Sequence, residues 1–319
     1  MSDRVGDFEA MAERLRAPVS EAGGEAFLRR VGDRHLVQFV PGDATLLVSF
    51  EEGAEVERRD GGQPWARQMA AKRGYATMSV VSDGRTWFRD RRLAAFFDEM
   101  TDEDLFDAFE QVVFAGGGAA GYAAAAYSVA APGATVFAVQ PIATLSREDA
   151  PWEARFRSAR ALDWRRYGYA PDMIQAARRV FVLSDPTEPL DAMHASLFRG
   201  PHVTHLRAGH AGSDVRARLI SVGILDRLVA GAAAGALTPA RFAQLWRGRR
   251  RDLGWLQGVL RKLDRLDRPW LTGLFARHMA GRHDSAPARR RLTDARMRLA
   301  AEGRELPGDR DPEGVREAS

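Results

Sequence analysis

The segment Val112-Val113-Phe114-Ala115-Gly116-Gly117-Gly118-Ala119-Ala120-Gly121-Tyr122 constrains this chain more than any other: an apolar run breaks into three glycines and then into alanines. That pattern spells a buried strand, a tight turn and a helix, because glycine takes up unusual backbone conformations without strain and lets strand and helix approach closely. The turn opens a longer stretch, Val112 to Ser146, that carries no charged residue. Its length raises the question of a membrane span. Gly116 to Gly118, Gly121 and Pro132 interrupt it and alanine dominates its middle, so its hydrophobicity is too low for one.

Around this segment, short apolar runs alternate with helical patterns, which predicts an α/β fold on a mostly parallel sheet. The predicted strands are His35 to Val40, Thr45 to Phe50, Ala76 to Val81, Gln111 to Ala115, Thr135 to Val139, Val180 to Ser184 and His202 to Leu206. Pro41-Gly42-Asp43 between the first two reads as the turn of an edge hairpin. Helices are expected over Pro64 to Arg73, Leu93 to Met100, Ala119 to Ala130, Pro171 to Arg179, Leu190 to Phe198 and Asp214 to Ala230. Beyond Gly235 the pattern is helical only, and Pro307-Gly308-Asp309-Arg310-Asp311-Pro312 reads as a broken, charged tail. The expected organisation is an α/β domain over residues 1–235, a helical extension over 236–300 and a disordered tail over 301–319.

Three readings of the glycine turn stand open. Gly116-Gly117-Gly118-Ala119-Ala120-Gly121 satisfies G-x-G-x-x-G, the dinucleotide fingerprint with pyrophosphate on a helix N-terminus. The next strand ends Val139-Gln140-Pro141, however, with no acidic residue to meet a ribose. The second reading is a nucleophile elbow, G-x-S-x-G, in which serine occupies the strained turn. The third is that the glycines serve packing alone, with Asp185 a loop residue beside Pro186 and His210 a surface loop histidine.

Aligned on Gly116-x-Gly118-x-Ala120-Gly121-Tyr122, the chain resembles the Gly-x-Ser-x-Gly-Gly-Tyr elbow of α/β-hydrolases, with Gly118 at the serine position. The resemblance implies an acid after the second strand beyond the elbow, where Ser184 runs into Asp185, and a histidine after the next strand, where His210 stands. Glu188 and Asp191 are alternatives for the acid. Without a hydroxyl at 118, no acyl intermediate forms there, and loss of such a nucleophile costs on the order of a million-fold in turnover. The resemblance therefore implies a catalytically degenerate hydrolase fold acting as a binding or accessory protein. Gly116, Gly117, Gly118, Ala119 and Gly121 would form an oxyanion hole or anion-binding loop, with Tyr122 and Trp87 beside the pocket.

Over most of its length the chain also looks like a group of alphaproteobacterial proteins that carry the automatic name phosphoadenosine phosphosulfate reductase. Shared phrases include Trp87-Phe88-Arg89-Asp90 and Tyr167-Gly168-Tyr169-Ala170-Pro171-Asp172-Met173. A reductase of that kind resembles a thiol enzyme with a Ser-Gly-Gly-Lys-Asp-type phosphate loop. This sequence has no cysteine and no such loop, which excludes thiolate chemistry, disulfides and Cys-ligated metals. An anion- or nucleotide-binding role for the glycine loop, without thiol chemistry, is the alternative that the name suggests.

The net charge of +4 conceals an asymmetry: residues 241–298 hold 16 basic against 5 acidic side chains, whereas residues 1–240 hold 28 against 32. All but two of the 47 basic residues are arginine, as GC-rich coding would give, so arginine identity alone is weak evidence of phosphate recognition. Arg249, Arg250, Arg251, Arg289, Arg290 and Arg291, interleaved with Trp246, Trp255 and Trp270, suggest a contact with an anionic surface or acidic partner, or else a lid with solvated arginines. His202 and His205 fall on opposite faces of a strand, which argues against a metal site. Asp191 and His194, one helical turn apart, read as a solvated pair. No metal or cofactor is expected. Met1 to Arg16 carries no apolar signal region, so the expected location is cytoplasmic.

Overall fold

The computed structural model describes residues 3–309. The chain divides into two compact units, one ending at Leu245 and the other beginning at Trp246.

The first unit is built on one eight-stranded sheet: β1 (Phe27–Val31), β2 (His35–Val40), β3 (Asp43–Glu52), β4 (Tyr75–Ser82), β5 (Gln111–Gly117), β6 (Thr135–Val139), β7 (Arg179–Ser184) and β8 (Val203–Arg207). Their spatial order is β1-β2-β4-β3-β5-β6-β7-β8. From β4 through β8 all neighbours pair in parallel, and β2 pairs antiparallel with β4. This mostly parallel sheet with one reversed strand near its edge is of α/β-hydrolase type, as the glycine turn implied. Parallel strands covered by helices on both faces read as continuous apolar runs, and β5 and β6 are buried nearly throughout.

The edge hairpin expected from His35–Val40 and Thr45–Phe50 does not form. β4 lies between those strands, pairing Val37 with Val80 on one side and Val48 with Met78 on the other. The hairpin instead joins β2 to β1, where Val31 faces His35. Pro41-Gly42 carries the chain past β4, which leaves no room for a side chain: a Cβ on Gly42 would meet the Tyr75 and Ala76 backbone.

Four expected helices are shorter or broken, and of Pro64 to Arg73 only Trp65–Ala70 is α-helical. Ala119–Ala126 is α-helical and then tightens to 3-10 geometry over Tyr127–Ala130. Only Ala170–Met173 of the segment after Tyr169 is helical. The helix expected over Asp214 to Ala230 splits into Val215–Ser221 and Leu225–Ala233, because Gly223 takes a φ of +72°. The amino-terminal helix Asp3–Ala22, not anticipated, places Phe8, Met11 and Leu15 against Leu36, Val56 and Val81.

The core centres on Phe50, Phe97 and Tyr127, whose rings stack with centroids 4.5–5.9 Å apart. The alanines of the helix after β5 let it lie close to the sheet, and a Cβ on Gly121 would come within 2.8 Å of the Val139 carbonyl.

The second unit is helical, with helices Leu253–Arg265, Pro269–Ala280 and Ala286–Ala301. Arg249 sits between the rings of Trp246 and Trp255, 5.4 and 5.2 Å from their centroids. Of the tail expected over 301–319, residues 310–319 lie outside the described residues, and in the described part Leu306 is buried beside Gly273 and Ala295. No helix among the described residues is long and apolar enough to cross a membrane.

Candidate functional site

Strand β5 ends in the glycine turn, and Gly118 there has φ +60° and ψ −120°. That is a strained backbone conformation at a strand-to-helix turn, which glycine takes up without a Cβ. The neighbouring glycines are required sterically: a Cβ at Gly116 would run into the Ala120 carbonyl, and one at Gly121 into that of Val139. Above Gly118 the space is open, with nothing within 4 Å of where a Cβ would stand. Gly118 N–H donates to the Val139 carbonyl at 2.9 Å, pinning the turn to β6. The amide of Ala119, first in the helix, is one of the donors that a helix leaves without an internal partner.

A cleft of about 320 Å3 opens over this turn, at the carboxyl edge of the sheet where α/β folds place their sites. Gly117, Gly118 and Ala119 form its floor, and Trp87, Ile142, Phe156 and Ile220 give it an apolar side. Its charges come from Arg85, Arg155 and Arg216 and from Glu52, Glu55, Asp191 and Asp214. Arg216 spans Glu51 at 2.9 Å and Glu55 at 2.5 Å, with its aliphatic stem over Gly117. Burial raises the Glu51 carboxyl, against the pull of Arg216 and Arg59.

Asp185 and His210 come together, but through the backbone. Asp185 is fully buried, and its Oδ1 accepts from the Thr187 amide at 2.9 Å, the Thr187 hydroxyl at 2.7 Å and the His210 amide at 3.1 Å. Its Oδ2 accepts from the Gly212 amide at 2.9 Å. The His210 side chain is exposed, at a φ of +60°, and neither residue lines the cleft. Glu188 stands at the start of the helix Pro189–Leu197, outside the cleft lining.

Asp191 and His194 are not solvated: both are buried. Arg155 joins Asp191 at 2.6 Å to Glu153 at 2.6 Å, and Glu153 accepts from His194 Nε2 at 3.0 Å. His194 Nδ1 accepts the Ala143 amide at 3.2 Å, which fixes the neutral tautomer with its proton on Nε2. Burial lowers the His194 pKa. Burial works to raise Glu153, but the hydrogen bonds of Arg155 and His194 outweigh it and leave that carboxyl below its ordinary value. Gln140, at a φ of +51°, donates to Asp191 and accepts the Val215 amide, tying this network to the cleft wall.

Trp87 lines the cleft, whereas Tyr122 lies beneath it, fully buried, donating to the Tyr167 carbonyl at 2.7 Å and accepting from Arg89 at 2.6 Å. Trp87 and Phe88 both have positive φ, a strain of the kind that surrounding contacts must hold in place. One such contact is His35 on β2, whose Nε2 lies 2.9 Å from the Thr86 hydroxyl, which in turn accepts the Phe88 amide.

Burial lowers the His35 pKa to about 4. The unfolded chain takes up this proton near pH 6.5 and the native chain only near 4, so stability falls as pH drops between those values. The expected total is on the order of 3 kcal/mol. Denaturant melts from neutral pH down to about 4 should show this slope in the wild type and lose it in His35→Gln; equal slopes would contradict the assignment.

Elsewhere, His202 and His205 each donate from Nε2 to a backbone carbonyl, of Ile174 and Phe198 respectively, both at 3.1 Å. No cluster of three metal-type side chains assembles among the described residues. Of the six singled-out arginines, Arg249 is enclosed by tryptophans, Arg289 pairs with Asp284 and Arg291 with Asp264. Arg250, Arg251 and Arg290 remain exposed.

No protein-family model matches the chain, and no curated protein sequence matches it. Among solved structures it is similar to the capsule O-acetyltransferase of Neisseria meningitidis serogroup A, with 8% identity and a TM-score of 0.41 over 66% of this chain and 99% of that one. Brefeldin A esterase, a bacterial homologue of human hormone sensitive lipase, shows 16% identity and a TM-score of 0.41 over 75% and 86%. A fungal esterase from Rhizomucor miehei shows 13% and 0.37 over 62% and 79%. At such identities and scores, these likenesses carry nothing about the chemistry of this chain.

Proposed function

We propose that this chain is a binding or accessory protein on an α/β-hydrolase-type fold, with an elbow that holds no nucleophile. The observation that supports this most is Gly118 at φ +60° and ψ −120°: the turn that presents a nucleophile presents open space. The cleft lining supports it further. Ser213 is the only hydroxyl side chain among the described residues that line the cleft, and no histidine lines it. The carboxylates near it are engaged, Asp191 by Arg155, Glu55 by Arg216 and Asp214 by the Ala217 amide, and a serine with no histidine base stays a weak nucleophile. Sulfonucleotide reduction forms no part of the proposal, since the sequence lacks cysteine.

The ligand class follows from the walls. Arg155 and Arg216 are each held between two carboxylates, so a multiply charged anion would have to displace Glu55 or Asp191. A single acyl or carboxylate group fits better: its oxygen would take the Ala119 amide while its chain lies against Trp87, Phe156 and Ile220. Thermal melts with short-chain carboxylates and acyl thioesters test this. A ligand at a hundredfold over its dissociation constant adds about 2.7 kcal/mol, which should raise Tm by roughly 5–10 °C. Flat melts with every acyl ligand, or a rise with adenosine sulfonucleotides alone, would contradict the reading.

A further inference from the structure

Seven large hydrophobic side chains are exposed among the described residues, and four of them, Leu253, Leu266, Leu271 and Met297, belong to the helical second unit. Two of the four flank one turn. The helix Leu253–Arg265 ends, Leu266 stands 58% exposed, Asp267 turns the chain at a φ of +50°, and the helix Pro269–Ala280 begins with half-buried Trp270 and Leu271, which is 48% exposed. Apolar side chains at the tip of a helical hairpin gain nothing from water, and so large a share in so small a unit points to a surface that covers them.

The charges around the tip say what kind of surface. Arg261, Lys262, Arg265, Arg268 and Arg290 make no ion pair among the described residues, while the nearby Asp264 and Asp267 are already taken by Arg291 and Arg298. A cleft of about 600 Å3 beside the turn is lined by Arg268, Arg290, Arg291 and Arg298 against two carboxylates, Asp264 and Asp294. Five cations that make no ion pair among the described residues, Arg261, Lys262, Arg265, Arg268 and Arg290, therefore lie on or near the two helices of the apolar tip, with Arg268 and Arg290 lining one cleft. Nucleic acid would meet the cations but leave Leu266 and Leu271 in water. An anionic bilayer surface meets both, because phosphates lie at the depth of the arginines and the acyl boundary at the depth of the leucines.

We propose that the turn between these two helices docks on an anionic lipid surface, with Leu266, Trp270 and Leu271 entering the headgroup boundary and the unpaired arginines meeting lipid phosphates. The interaction does not depend on what the elbow cleft binds. Each unpaired cation strengthens adsorption severalfold, and salt weakens it by screening.

Co-sedimentation of the full chain with vesicles tests this, comparing pure phosphatidylcholine with phosphatidylcholine containing about one third phosphatidylserine. Binding is expected to the anionic vesicles only, and to weaken with added salt. Two exposed-site double variants, Leu266→Ser with Leu271→Ser and Arg265→Glu with Arg268→Glu, should each weaken it by about tenfold or more while melting like the wild type. Three results would overturn the proposal: no preference for anionic vesicles, anionic binding unchanged by the leucine pair, or tighter binding to an RNA oligonucleotide than to vesicles at the same salt.

Discussion

Gly116→Ala is expected to prevent the first unit from reaching a stable fold, at a cost of roughly 4 kcal/mol or more, the exceptional end of single-substitution effects. The added methyl would stand inside the Ala120 carbonyl, which is backbone and cannot rotate aside. Relief would require the helix Ala119–Ala126 to lift from β5 and β6, against which all but its first two residues are buried. Gly118→Ala provides the contrast. Its methyl meets nothing within 4 Å, so its cost is the backbone strain of a non-glycine at that φ and ψ, about 1–3 kcal/mol. Urea melts of the two variants measure the difference. Equal destabilisation would mean that the turn is not the elbow described here.

The second large effect is expected at Asp185. Its carboxylate, itself fully buried, satisfies three part-buried backbone amides, of Thr187, His210 and Gly212. Asp185→Ala leaves all three without their acceptor, at roughly 1 kcal/mol or more per part-buried donor, so a loss of about 3 kcal/mol is expected. Asp185→Asn retains one acceptor oxygen but turns an amide NH2 toward donors, and should recover only part of the loss. An acid that serves a catalytic histidine would behave differently, because its removal would spare stability and alter the imidazole. Unchanged melting of Asp185→Ala would therefore restore the reading of Asp185 as a triad acid.

These two sites show what the sequence made legible. The alternation of short apolar runs with helical patterns located seven of the eight strands, and β2 to β7, buried over most of their length, cannot hide their composition. The missing β1, Phe-Leu-Arg-Arg-Val, carries two arginines that face solvent at the sheet edge, and so does not look like its neighbours. Pairing was harder to read than existence. Pro41-Gly42-Asp43 looks like a hairpin turn, and only the long-range insertion of β4 shows that it is a crossing. The amino-terminal helix was readable from Phe8, Met11, Ala12 and Leu15 at helical spacing, but the charged residues between them masked it.

At the site, the glycine turn was fully visible, whereas the charges that line the cleft were not. Arg155 meets Asp191, 36 residues further along the chain, and its neighbour Glu153 meets His194, and nothing local marks these long-range pairs as partners. Glu51 carried a weak signal, a carboxylate closing the apolar run Leu46 to Phe50 at the carboxyl end of a parallel strand. Asp185 follows β7 and His210 comes after β8, as the strand reading expected, but spacing along the chain does not reveal that the carboxylate meets the histidine backbone instead of its ring.

Intact-mass analysis after exposure to a fluorophosphonate, together with turnover of a short-chain p-nitrophenyl ester, tests the central claim most directly. An elbow without a nucleophile predicts no adduct on the wild-type chain and ester loss at the buffer rate, with Gly118→Ser alone insufficient for turnover because no histidine lines the cleft. A stoichiometric adduct on wild-type protein, mapped to Ser213 or any other cleft residue and accompanied by turnover, would contradict it.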